Sequence, residues 1–333
     1  VFKHALVRDV AYDSLLTSTR ETLHARIART ITDRFPELAR TQPELVAHHF
    51  TEAGSLRDAL PYWMAAGERA LERVALEEAI LHLENALRVI ARIPPGDERD
   101  RCELDVRMLL ATACLSCRGW DAPEVMDALQ AARIISMRLG EVARRIPMLW
   151  HIALYHCLFC DFPAALAAVA ELDAIAGDDG DTTAYMVARW SESMTLCWMG
   201  DFTGADRTAR RMLASYDYDR HHHFVAVCNH EPKCGTLIWR AIALWALGFP
   251  DQARACAEEH VALGRRVGHA FNLGYNLAAG SLPLVLRGEP DAALAWTAEA
   301  RTLALQHGLK LMATAIIPGW EAFALVAKGH DAE

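Results

Sequence analysis

Along most of the chain, apolar residues recur every three or four positions, and this spacing predicts amphipathic α-helices. The clearest stretch is Trp239–Ala253, where an apolar helix runs as far as Leu247. Gly248 ends that helix, because glycine adopts left-handed backbone angles without a steric penalty. Pro250 then begins a second helix, since the first helical turn leaves its N–H groups unpaired in any case. The stretch therefore predicts two antiparallel helices joined by a tight turn, and the small Ala253 allows them to approach closely.

The same junction recurs at intervals of about 40 residues. Gly200, Gly248 and Gly288 are each followed five residues later by an alanine, and Cys160 occupies the glycine position of a fourth junction. The steps between these four positions are 40, 48 and 40 residues, and a further junction begins at Gly329. A period near 40 residues built from helix pairs is typical of α-solenoids, in which each unit buries its apolar face against the next. We therefore expect an all-α fold, a right-handed α-solenoid of antiparallel helix hairpins.

The offset from glycine to alanine resembles the turn of a tetratricopeptide repeat. The period is longer than the 34 residues of that repeat, which indicates lengthened helices. The additional residues of the 48-residue step fall between Tyr216 and Gly235, where we expect a longer loop. Near the N-terminus, residues 2–16 show helical spacing, and the next helix carries apolar residues at Leu23, Ile27, Ala28 and Ile31.

Three parts of the sequence resemble one family of large bacterial regulators. Residues 2–24 contain FKHALVRD, then Tyr12, Leu15 and Leu16, and then Leu23-His24, and residues 45–67 contain LVAHHF, EAG and YW-x2-AG. The repeat region adds Tyr216-Asp217, His222, Pro232, Leu244–Ala253 and Gly268-His269. The family comprises signalling ATPases linked to adenylate/guanylate cyclase, winged-helix or LuxR-type output domains, in which an ATPase module precedes helical repeats. Residues 229–232 read Asn-His-Glu-Pro, where cyclase-linked members carry Gly and Asp before the proline, so the type of output domain stays open.

This resemblance implies an organisation and a function. Residues 1–95 would form an irregular helical region that links an upstream ATPase module to the repeats, and residues 96–333 a tetratricopeptide-like superhelix truncated in its last repeat. Ile93–Gly96, with two prolines, interrupts the helical spacing and marks the boundary. The implied function is non-catalytic: sensing and protein interaction, with a protein partner, upstream domains or a small-molecule effector bound in the concave groove. The alternative is a part of an adenylate/guanylate cyclase whose catalytic domain lies upstream of this chain.

Composition narrows these functions further. A hydrophobic content of 53% with 23% charged residues is enough for a folded core, and the net charge of −9 argues against nucleic acid as a partner. No apolar run reaches the roughly 18 residues of a membrane span. The nine cysteines lack the spacing of a disulfide framework, which is typical of a reducing compartment, so we expect a cytoplasmic location.

The sequence offers little recognisable chemistry. The phosphate-binding pattern Gly-x4-Gly-Lys-Ser/Thr does not occur, and His48-His49 belong to no recognisable catalytic motif. We therefore assign no catalytic residue and no cofactor, and we expect this chain not to be an enzyme. The densest group of metal-ligand residue types lies between His221 and Cys234, and it also contains His222, His223, Cys228 and His230. Its spacing matches no standard zinc finger, so we interpret it as a polar loop whose histidines cap helices, and we assign no metal.

Two hypotheses concern the surface of the repeats. Asn272, Tyr275 and Asn276 share one helical face that we regard as too polar for the core, and with Arg240 this face would contact a partner or ligand. A merely solvated stripe is the alternative. Glu192 and Arg240 each lie eight residues before a junction, so we expect them to pair across adjacent units. The alternative there is a local pair between Glu192 and Arg189.

Overall fold

The computed structural model describes residues 15–73, 75–119, 121–177, 182–225 and 230–329. These residues form seventeen α-helices and no β-strand, which confirms the predicted all-α class. The chain divides into two compact units, Val1–Gly140 and Glu141–Glu333. The helix predicted at residues 2–16 lies almost wholly outside the described residues.

The first unit is a succession of helices in which neighbours in sequence pack against each other. Its core is built from alanines and branched aliphatic residues such as Ala28, Val46 and Leu83, all fully buried. Of the apolar residues predicted on the first helix, Ala28 and Ile31 are buried, whereas Leu23 and Ile27 are exposed. The helices are α1 Thr17–Arg34, α2 Pro36–Thr41, α3 Pro43–Glu52, α4 Leu56–Glu72, α5 Leu76–Ile90, α6 Asp97–Arg118 and α7 Pro123–Leu139. Because α5 packs against α6, the compact unit continues through the interruption at Pro94-Pro95.

The second unit contains the regular hairpins. Its helices are α8 Val142–Leu158, α9 Phe162–Ala176, α10 Thr183–Trp198, α11 Phe202–Ser215, α12 Tyr218–His221, α13 Pro232–Ala246, α14 Pro250–Val267, α15 Ala270–Leu286, α16 Pro290–Gln306 and α17 Ile317–Ala327. Helices α8 and α9, α10 and α11, α13 and α14, and α15 and α16 form the pairs, and α17 packs on the last pair. The loop predicted up to Gly235 ends earlier, because α13 begins at Pro232, where proline suits the first helical turn.

The four junctions share one backbone geometry. Gly200, Gly248 and Gly288 have φ angles of 83°, 87° and 80°, and Cys160 has 57°. At each junction, the N–H of the following residue donates to the carbonyl five positions earlier, which is the pattern of a Schellman turn. These bonds are Asp161 N to His156 O (2.8 Å), Asp201 N to Leu196 O (2.9 Å), Phe249 N to Leu244 O (2.8 Å) and Glu289 N to Leu284 O (2.9 Å). The alanine five residues after each junction is fully buried between the paired helices, as the small residue predicted there should be.

Replacing Cys160 with glycine is expected to stabilise the second unit. Cys160 is the only described residue other than glycine with a positive φ, and a left-handed conformation costs a side-chain-bearing residue about 1–2 kcal/mol. Because Cys160 is exposed, its thiol contributes little packing that the change would remove. Urea denaturation should show a gain of about 1 kcal/mol for Cys160→Gly. Cys160→Ala keeps the strained Cβ and serves as the control; an equal gain from alanine would contradict the explanation.

Candidate functional site

The asparagines predicted to face a groove lie in the interior of the second unit. Asn272 and Asn276 on α15 are both fully buried, so the expectation that they are too polar for the core is wrong. Asn272 Oδ1 accepts the backbone N–H of Glu231 (3.1 Å), and Asn276 Nδ2 donates to the carbonyl of His260 (3.1 Å). These bonds satisfy polar backbone groups at the start of α13 and within α14. The two asparagines therefore tie three helices together from inside.

The predicted pair between Glu192 and Arg240 does not form. Glu192 binds Arg189 on its own helix, which is the local alternative, and Arg189 also contacts Asp173 on α9. Arg240 Nε instead donates to Asp206 Oδ1 on α11 (2.9 Å). An ion pair between neighbouring hairpins therefore does involve Arg240, but its acid comes from the second helix of the preceding hairpin.

Around the two asparagines lies a buried polar centre, which consists of His230, Glu231, Cys234, His260, Asn272 and Asn276. Glu231 Oε2 accepts the N–H of Cys234 (2.7 Å) and so caps the start of α13. His260 Nδ1 lies 2.8 Å from the carbonyl oxygen of Cys234. Burial lowers the pKa of His230 to about 3 and that of His260 to about 4, and it raises the pKa of Glu231. Burial thus favours the uncharged form of all three groups.

Aromatic rings enclose His230. Its ring centroid lies 4.4 Å from that of Tyr275, and 5.8–5.9 Å from those of Phe271, Trp150 and Trp190. The two tryptophan rings are themselves 4.6 Å apart, and both side chains are 3% exposed. Tyr275, which we expected at a groove, is partly buried and packs on His230. Trp150, Trp190 and His230 are buried, whereas Phe271 and Tyr275 are partly exposed.

The histidines at the start of the inserted segment have local partners. His221 Nδ1 accepts the N–H of Asp217 (2.9 Å), and the ring of His222 stacks on Tyr218 with centroids 4.5 Å apart. Both histidines thus make local contacts around a short helix, and Cys228 lies outside the described residues. Within the described part of the chain, one group of at least three residues brings metal-ligand atoms together, and it consists of His24, His48 and His49 in the first unit.

One surface of the second unit carries large apolar side chains in contact with solvent. The first helices of successive hairpins pack side by side, so their C-terminal ends and the junction turns lie along the same edge. Five residues, each within three positions of a junction, are exposed there: Phe159 (56%), Trp198 (42%), Met199 (47%), Trp245 (37%) and Phe249 (49%). We call this set the turn edge. Sequence reasoning missed it, although the signal was available as apolar residues that recur next to the junctions.

Such a surface suits contact with another protein. Exposed apolar side chains gathered along one edge cost solvation free energy that binding recovers. Aromatic residues and methionine are also the types enriched at protein interfaces. The turn edge is therefore the best candidate for a functional surface in the second unit.

In comparisons with known proteins, one relative aligns with nearly the whole chain. An uncharacterised protein of Rhizobium meliloti (strain 1021) is 21% identical over 339 residues, which cover 99% of this chain and 32% of that protein. The chain thus spans about a third of the length of this relative. No family model matches the chain.

Among solved structures, the chain is similar to that of a Rap protein complexed with competence and sporulation factor. The TM-score is 0.47 at 10% sequence identity, and the alignment covers 95% of this chain and 99% of the Rap chain. None of the described helices is both long and apolar enough to cross a membrane.

Proposed function

We propose that this chain is the non-catalytic sensing and protein-interaction region of a multidomain bacterial signalling ATPase or transcriptional regulator that acts in the cytoplasm. The observation that carries the proposal is the turn edge on a unit built of repeated helix hairpins. Repeat arrays of this kind present an extended surface to which each unit contributes a few equivalent residues. A relative about three times as long supports the assignment to one region of a larger polypeptide. The sequence motifs described above favour a parent that carries an ATPase module.

The partner is proposed to bind at the turn edge, not at Asn272 and Asn276. Those two side chains are committed to hydrogen bonds inside the unit, whereas Trp198 and Phe249 project into solvent next to successive junctions. Because the edge is apolar and aromatic, it suits an apolar segment of a protein partner or of another domain of the same polypeptide. The cyclase alternative differs only in the domain that receives the signal, and the full-length reading frame would distinguish the two parents.

The purified chain is expected to hydrolyse no ATP and to form no cyclic nucleotide. It lacks a phosphate-binding loop, and the histidines of the buried polar centre are at most 2% exposed. Phosphate release and cyclic-nucleotide formation should both equal a buffer control. Turnover above that control which persists through repeated purification would contradict the non-catalytic assignment.

The turn edge itself is tested in the full-length parent. Trp198→Ser combined with Phe249→Ser should change the regulated output, measured as ATP hydrolysis or as transcription of a reporter, by at least about fivefold. Leu305→Ser is the matched control, because Leu305 is 69% exposed but lies at the C-terminal end of α16, on the opposite edge of the hairpins. An unchanged output in the double variant, or an equal change in the control, would exclude the turn edge as the regulatory surface.

A further inference from the structure

Three histidines from two helices meet in the first unit. His24 lies on α1, and His48 and His49 lie next to each other on α3. The two Nδ1 atoms of His24 and His49 are 2.8 Å apart, and the ring centroids of His24 and His48 are 5.8 Å apart. One ring nitrogen from each of the three lies within 4.8 Å of the others. We call this set the histidine triad.

The packing of α1 on α3 produces the triad. Ala28, one turn after His24, and Ala47, next to His48, are both fully buried, so the two helices approach closely at this level. Neighbours on a helix point about 100° apart, yet the three rings lie close to one another, with centroid separations of 4.9, 5.4 and 5.8 Å. The three rings differ in exposure: His24 is buried, His49 half-buried and His48 open to solvent.

Imidazole nitrogen, which all three side chains of the triad offer, is a ligand that zinc commonly takes in proteins. The uncharged ring is the form that binds metal, since the nitrogen needs a free lone pair. Glu52 lies on the same helix, four residues after His48 and three after His49, and its charge acts on both His24 and His49. A carboxylate beside imidazole ligands is a common feature of zinc sites.

We propose that His24, His48 and His49 form a binding site for a divalent transition-metal ion, with zinc as the preferred occupant, that joins α1 to α3. Zinc binds imidazole nitrogen at about 2.0–2.1 Å, so two nitrogens on one tetrahedral ion lie roughly 3.3 Å apart. Separations between 2.8 and 4.8 Å bracket this value, and rotation of the exposed His48 ring would close the largest gap. Water would occupy the fourth position.

The bound ion would fix the first described helix to the rest of its unit. Helix α1 packs mainly on α3, and two of its apolar residues, Leu23 and Ile27, are exposed. A metal bond between the helices would add a connection that depends on ion concentration, because a ligand that binds only the folded state stabilises it. This inference does not depend on the proposed function, since it concerns the first unit and the turn edge belongs to the second.

Cobalt(II) and zinc(II) titrations of the whole chain test the proposal. Cobalt should bind with a stoichiometry of one and give the visible d–d bands of a four-coordinate site, and zinc should displace it. His48→Ala should weaken binding at least tenfold, because it removes one of three protein ligands. Since His48 is exposed, this variant should fold, and its circular dichroism spectrum should match that of the unsubstituted chain.

Two further measurements keep the test decisive. Zinc should raise the temperature at which α1 unfolds, as measured by hydrogen exchange at residues 17–34. The increase is expected in the unsubstituted chain but not in His48→Ala. His307→Ala, at an exposed histidine of the second unit, is the matched control and should bind cobalt as the unsubstituted chain does. The proposal would be overturned if the unsubstituted chain did not bind cobalt, or if His48→Ala bound it with equal affinity. A sulfur-to-cobalt charge-transfer band, which would assign the ion to the cysteines, would also overturn it.

Discussion

Acidification from pH 6.5 to pH 4.5 is expected to destabilise the second unit strongly, because His230 and His260 are buried in uncharged form. Their pKa values in the folded protein are about 3 and about 4, against 6.5 in the unfolded chain. At a pH between the folded and the unfolded pKa, the unfolded chain binds protons at these histidines and the folded protein does not. Stability therefore falls as the pH falls. Each histidine therefore lowers the free energy of unfolding by about 2 kcal/mol over this range.

Glu231 works in the opposite direction within the same centre. Burial raises its pKa above the usual value of 4.5, so the folded protein holds a proton there that the unfolded chain has released. The contribution of Glu231 to stability therefore falls as the pH rises through that window, and acidification restores it. With two histidines opposed by one carboxyl group, the net effect remains a loss of stability in acid.

The pH dependence of urea denaturation, followed by hydrogen exchange in α13 and α14, measures this effect. His260→Asn keeps a hydrogen-bond donor close to the position of Nδ1 but cannot be protonated, so it should remove about one proton from the uptake on unfolding. The same substitution at the exposed His307 controls for the change of residue. If the slope of stability against pH is the same in His260→Asn as in the unsubstituted chain, protonation of His260 does not contribute to the loss of stability in acid.

Replacing Gly235 with alanine is expected to destabilise the second unit by about 2–3 kcal/mol. Gly235 lies in the first turn of α13, and a Cβ atom there would stand 2.1 Å from Cε2 and 2.2 Å from Nε1 of Trp190. The indole cannot move aside cheaply, because it is buried and packs against Trp150 and His230. The added methyl group must therefore force α13 away from α10 or push the tryptophan out of its site.

Gly319→Ala is the matched control for this substitution. Gly319 also lies in the first turn of a helix, α17, but a Cβ atom there meets nothing within 4 Å. The same change should be neutral or stabilising by up to about 1 kcal/mol, because alanine favours the helix. Urea denaturation of both variants should therefore give effects of opposite sign or clearly different size. Equal stabilities would mean that the contact between Gly235 and Trp190 does not limit the packing.

The repeat architecture of the second unit could be predicted from the sequence because its determinants are local. A helix needs apolar residues at regular spacing, a turn needs one residue that tolerates a left-handed backbone, and the next helix accepts proline at its start. These requirements lie within about ten residues of each other, so the junctions at Gly200, Gly248 and Gly288 were visible directly. Even Cys160 was placed correctly, since the spacing of the repeat demanded a turn there whatever the residue.

Which polar side chains face inward was decided by the tertiary structure alone. Asn276 finds its acceptor on His260, sixteen residues away, and Asn272 binds Glu231, 41 residues away. Arg240 likewise takes Asp206 as its partner and not Glu192, although the repeat positions of Glu192 and Arg240 are equivalent. Equivalent positions predict which helices are neighbours, but the rotation of each helix about its axis determines which side chains meet, and that rotation depends on the whole packed core. The same holds for His24 and His49, whose 2.8 Å approach depends on how closely α1 and α3 pack.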